Sequence, residues 1–186
     1  MQDLNELTPN KRKSVLSALF ILTKNENVQT EMRKDLQEVN DFYKEQKMSE
    51  VQKENWIDWS DVLKIYDDLR VKTEPLFKAK ALTPKQFEAL QSFVLLSCYV
   101  LVPPRRCLDY AVMRLKDYNK SSQNYFDGKQ FVFNVYKTAK NYGEKTILLP
   151  KELCDILKKW KKINTGEMLL YSSNGKKHKV RGRYRQ

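Results

Sequence analysis

Apolar positions recur at three- and four-residue spacing through Val15, Leu16, Leu19, Phe20 and Leu22, behind a Thr8-Pro9 pair suited to an N-cap and a first helical position. The pattern predicts an amphipathic helix over residues 9–24. A second is expected through Met32, Leu36, Val39, Phe42 and Tyr43, and a third through Trp56, Trp59, Val62, Leu63, Tyr66 and Leu69, with residues 49–54 as a polar connection. Such helices must hide their stripes against one another, so residues 1–72 are expected to form a small helical bundle. Residues 73–82 mix proline with lysines and lack periodicity, which predicts a linker to a second domain spanning 83–186.

That second domain opens on a strong helix signal: Thr83 at the N-cap, Pro84 next, and Gln86 completing a capping-box pattern. From Phe87 to Leu101 the helix is apolar nearly all round, which suits a central buried position. Pro103 and Pro104 end it, because proline lacks an amide donor and disfavours helix in the residue before it. A further helix is expected from Arg106 to Leu115, with Leu108, Val112 and Leu115 inward. Two β runs follow, Gln130–Tyr136 and Lys145–Leu149, joined by a turn at Lys140–Glu144 with Tyr142 exposed at its tip. Pro150 then leads into a helix through Leu153, Ile156, Leu157 and Trp160 with a Lys-rich outer face, and Met168–Tyr171 begins another apolar segment. The fold class is therefore mainly α with a small antiparallel β-hairpin or sheet. Trp56, Trp59 and Trp160 all read as inward-facing core residues.

Charge changes the picture more than composition does. The net +12 is unevenly placed: residues 1–75 hold 12 Lys+Arg against 15 Asp+Glu, residues 76–157 hold 13 against 7, and residues 158–186 hold 10 against 1. A near-neutral front and an increasingly basic back suit a polyanion-binding surface, because each neutralised phosphate releases a counterion. The cysteines, Cys98, Cys107 and Cys154, are odd in number and lie among apolar residues, which points to a reducing, intracellular compartment rather than a disulfide framework. With a single histidine, His178, and no C-x-x-C spacing, no metal site is expected. No apolar run is long enough to span a membrane, and the polar start Met1-Gln2-Asp3 is not a secretory signal.

The candidate chemistry lies in Arg105, Arg106 and Asp109 after the buried helix, and in Lys137 and Lys140 on the hairpin. An arginine fork matches phosphate oxygens, and a lysine supplies a compact, movable charge or proton. Delivered from different elements, the two suit a grip on one phosphodiester.

From Arg106 to Leu149 the chain resembles the tyrosine recombinase (phage-integrase) family. The residues that carry the resemblance are Arg106-Cys107-Leu108-Asp109 after the buried helix, Tyr136-Lys137-Thr138-Ala139-Lys140 on the hairpin, the strand Thr146–Leu149 closing on Pro150, the helix 151–160, and Leu169-Leu170-Tyr171-Ser172-Ser173-Asn174-Gly175-Lys176. Residues 1–72 look more loosely like that family's helical core-binding domain. The resemblance implies strand cleavage and rejoining of double-stranded DNA without a cofactor, through a phosphotyrosine intermediate, with self-association on DNA as a dimer or tetramer. It assigns Arg106 to stabilising charge on the phosphate, Lys137 to protonating the leaving 5′ oxygen with Lys140 as the alternative acid, and Asp109 to a supporting role. Arg105, Lys140, Lys145, Lys176 and Lys177 are then expected to contact DNA.

His178-Lys179-Val180-Arg181 has the letters of the family's later His-x-x-Arg element but stands directly after the Ser-Ser-Asn-Gly-Lys-Lys segment, so it reads as coincidence. Tyr184 lies too close to it to be the nucleophile. The chain is thus expected to carry only the first part of a catalytic domain. The alternative is a non-catalytic DNA-binding remnant of an integrase.

Overall fold

The computed structural model describes residues 4–171 and divides the chain into two compact units, Met1–Trp56 and Ile57–Gln186.

In the first unit α1 (Pro9–Thr23) and α2 (Glu26–Lys44) form a helical hairpin, followed by the short α3 (Glu50–Glu54). Lys24, left-handed at φ 52°, ends α1, and the Asn25 side chain accepts from the Asn27 amide to start α2. Leu16 is buried, and so is Asp35, whose carboxylate receives the Arg12 Nε at 2.9 and 3.1 Å. The acid tolerates burial because a guanidinium fork replaces the water it loses.

The third helix expected of an N-terminal bundle lies elsewhere. α4 (Trp59–Thr73) belongs to the second unit, where it packs on α5 (Pro84–Val100) through the stripe Val62, Tyr66, Leu69 and Thr73. Tyr66 stacks on Phe93 at 5.5 Å, and its hydroxyl donates to Glu152 at 3.0 Å. The structural boundary therefore falls after Trp56, not near residue 72. Residues 73–82 do not behave as a linker either: Thr73 ends α4, Glu74–Lys78 form a 3-10 turn, and Phe77 meets Phe93 edge-on at 6.4 Å. Apolar Leu76 and Phe77 hold this segment to the core and override its proline.

Of the three tryptophans only Trp160 is core. Trp56 and Trp59 are 63% and 56% exposed; Trp59 continues the α4 stripe one turn past the residues that are covered.

α5 begins at the expected capping box, Gln86 Oε1 accepting from the Thr83 amide at 2.9 Å, and buries Leu90, Phe93, Val94 and Cys98. The helix expected over 106–115 is shorter, α6 (Cys107–Ala111). Beyond it the backbone is drawn into extended pairing: the Arg114 amide donates to the Asn124 carbonyl at 2.9 Å, and the Leu115 amide to that of Glu167 at 2.7 Å. Those long-range bonds replace the helical ones that residues 114 and 115 would make, while the Val112 amide still donates to Leu108.

β1 (Tyr125–Phe126), β2 (Gln130–Phe133) and β3 (Lys145–Leu148) form a three-stranded antiparallel sheet in that order. β1 pairs Tyr125 with Val132, and β2 pairs Phe133 with Lys145 and Gln130 with Leu148. The β2–β3 connection is longer than the expected turn, running over residues 134–144 and containing one helical turn, α7 (Ala139–Tyr142). Gly143, at φ 64°, closes α7 in a conformation that disfavours a side chain. α8 (Lys151–Ile163) buries Leu153, Ile156, Leu157 and Trp160 as its periodicity predicts. The Trp160 indole donates to the Leu169 carbonyl at 3.0 Å, which ties the apolar 168–171 segment to the core.

The described residues are thus mainly helical with one small antiparallel sheet. Among them no helix is long and apolar enough to cross a membrane.

Candidate phosphate-binding pocket

After the Pro103-Pro104 stop, Arg106 takes the N-cap position of α6 with an extended backbone, φ −63° and ψ 143°. The two adjacent arginines have different surroundings.

Arg105 is held. Its guanidinium lies 4.6 Å from the Phe133 ring and 4.9 Å from the Tyr136 ring, and its Nε donates to Asp109 Oδ2 at 3.1 Å. Its side chain is 23% exposed and that of Asp109 3%. Arg106 is exposed, as is Lys137, which follows Tyr136 on the β2–β3 connection. Asp109, expected to hold Arg106 or support the helix, has Arg105, which precedes α6, as its hydrogen-bonded partner.

These residues enclose a cavity of about 230 Å³ lined by Pro104, Arg105, Arg106, Asp109, Tyr136, Lys137 and Thr138. A water molecule's share of liquid is roughly 30 Å³, so the space admits a phosphate group with some of its solvent. Three cations and one carboxylate give the pocket an anion-attracting excess. Burial pushes the Asp109 carboxyl up from its ordinary range, against the opposing pull of Arg105 and then Arg106. Its Oδ1 is buried without a hydrogen-bond partner, while Oδ2 holds Arg105.

The lysine wall is fixed from two sides. The Tyr136 hydroxyl donates to the Gly143 carbonyl at 2.8 Å, closing residues 137–143 into a loop. Behind it the buried Asn124 amide donates to the carbonyls of Asp109 at 3.2 Å and Val135 at 2.8 Å, and its oxygen accepts from the amides of Asn134 at 2.9 Å and Val135 at 2.7 Å. One side chain therefore joins the arginine helix to the start of the lysine loop. Neither Asn124 nor Tyr136 was singled out by sequence for this role. Asn124 stands in a Ser-Ser-Gln-Asn stretch that reads as loop, and Tyr136 as an ordinary strand residue.

Other candidate residues fall outside the pocket lining. Lys140 is exposed on α7, and Lys145 opens β3 with its ammonium 5.9 Å from the Tyr142 ring. Tyr142 is 65% exposed, in keeping with a hairpin tip. Lys176 and Lys177, with His178, Arg181 and Tyr184, lie outside the described residues. Among the described residues no group of three or more His, Cys, Asp or Glu side chains is placed to hold a metal ion.

Comparison with known proteins finds no matching family model, no matching curated protein and no matching solved structure.

Proposed function

We propose that this pocket grips a phosphodiester of double-stranded DNA, and that the chain acts in DNA strand cleavage and rejoining of the tyrosine-recombinase kind. The observation that carries the reading is that Arg106 and Lys137, thirty-one positions apart in the sequence, line one cavity together with Asp109 and Arg105. Arg106 would receive the developing charge on the phosphate oxygens. Lys137 would give its proton to the 5′ oxygen as the phosphorus–oxygen bond breaks and a tyrosine oxygen takes its place on phosphorus. Self-association on DNA belongs to the same reading.

One observation favours a second reading, DNA binding without cleavage. The tyrosine that lines the pocket, Tyr136, is buried with its hydroxyl committed to Gly143, which leaves it unfit as nucleophile.

Fluorescence anisotropy with a labelled duplex, across a salt series, tests the shared part. Arg106→Ala and Lys137→Ala should each weaken binding and reduce the slope of log affinity against log salt by about 0.9, the loss of one phosphate contact. Unchanged affinity and slope in both variants would reject the pocket as a DNA site. Incubation with a nicked duplex then separates the readings: a denaturation-resistant protein–DNA adduct supports cleavage, and its absence from a chain that binds DNA leaves the binding role.

A further inference from the structure

We propose that Arg105 is the positioning residue of the pocket, locking the Lys137 loop against the Arg106 helix rather than contacting phosphate itself. This rests on the DNA-phosphate reading above.

Arg105 touches both walls. On one side its guanidinium meets the rings of Phe133, at the end of β2, and of Tyr136, directly before Lys137. On the other it is ion-paired with Asp109 in the first turn of α6, whose amide donates to the Arg106 carbonyl at 2.9 Å. A short path of contacts thus runs from the backbone of Arg106 through Asp109, Arg105 and Tyr136 to the backbone of Lys137. The Tyr136 hydroxyl extends it to Gly143 at the far end of the loop.

The chemistry of the contacts argues against a DNA role for the same group. A buried carboxylate already offsets the Arg105 charge, and two aromatic rings lie against the guanidinium. To reach a phosphate it would have to surrender both, leaving Asp109 buried and unpaired. Lysine would not substitute, because a compact ammonium has neither a plane to lay against rings nor a fork for a carboxylate.

A double-mutant cycle on the full chain, read by affinity for a labelled duplex, tests this. Arg105→Lys should weaken binding roughly three- to tenfold, the scale of couplings within one contact network. In the Lys137→Ala background the same substitution should change affinity by a factor near one, since the lysine it positions is gone. A merely structural residue or a direct phosphate contact gives the same loss in both backgrounds; that result, or no loss in the native background, overturns the proposal. Near-UV circular dichroism checks folding of each variant. Should Arg105→Lys fail to fold, Tyr136→Leu carries the test, since it removes the ring against which the Arg105 guanidinium lies. Its loss must likewise vanish without Lys137, and a loss independent of Lys137 overturns the proposal. Should Arg106→Ala and Lys137→Ala both leave affinity unchanged, the DNA reading of the pocket has failed and takes this proposal with it.

Discussion

Asn124 offers the sharpest test of how this site is built. It is 1% exposed and makes four hydrogen bonds to backbone, two donated and two accepted, across α6 and the residues that lead to Lys137. At about 1 kcal/mol net per bond these are worth roughly 4 kcal/mol, and leaving a buried backbone group unsatisfied costs about 1–3 kcal/mol. Asn134 and Val135 are half-buried, so water recovers part of the loss on their side. Asn124→Ala is therefore expected to cost about 3–5 kcal/mol, a large share of the 5–15 kcal/mol typical of a whole domain. Asn124→Asp keeps both acceptor contacts but sets a carboxylate against two carbonyls, and should cost less than alanine at pH 5 and more at pH 8, where the carboxyl is fully charged. Urea unfolding followed by tryptophan fluorescence reads the difference. With a slope near 2 kcal/mol per molar urea, Asn124→Ala should lower the midpoint by about 2 M. A shift under about 0.5 M at unchanged slope would show that the loop is held by something other than this side chain.

The remaining predictions concern titration and reactivity. Because the Asp109 carboxyl is raised in the folded state, the native protein holds that proton at pH values where the unfolded chain has released it, so this group's contribution to stability falls as pH rises through the interval from the ordinary carboxylate value to the raised one. The stability of Asp109→Asn relative to wild type should therefore improve from pH 4 to pH 7; a relative decline would mean that the ion pair with Arg105 outweighs burial. Of the three thiols, Cys107 is exposed while Cys98 and Cys154 are buried, with burial pushing Cys98 up to about 12 and raising Cys154. A thiol reagent at neutral pH should thus titrate one cysteine rapidly in the native protein and three in urea, and a second fast thiol would contradict the packing around α5 or α8.

Elements with a strong local signal were legible in the sequence. The Thr83 capping box, the Pro103-Pro104 stop and the α8 stripe ending at Trp160 stand as their patterns predict, because each is decided within a turn or two of chain. What failed was decided at long range. The Trp59–Thr73 helix carries a stripe that would suit several partners, and only the tertiary structure assigns it to α5. The Arg106–Leu115 helix was truncated because residues 114 and 115 find backbone partners at Asn124 and Glu167, which no window of sequence contains. In the site the residue types were legible and their surroundings were not: the aromatic rings that hold Arg105 are those of Phe133, at the end of β2, and Tyr136, just beyond it, about thirty residues on.

That difference in surroundings has a consequence for what the pocket selects. Arg106 and Lys137 stand exposed, and such side chains each surrender roughly 2 kcal/mol of rotamer freedom when they close on a ligand. A lone inorganic phosphate, touching both, must offset that ordering from a single group and is expected to be a poor ligand. Under the proposed function, a polymer that presents phosphate after phosphate along a fixed path would spread the ordering over contacts made elsewhere, so the two exposed cations would favour the chain over the monomer.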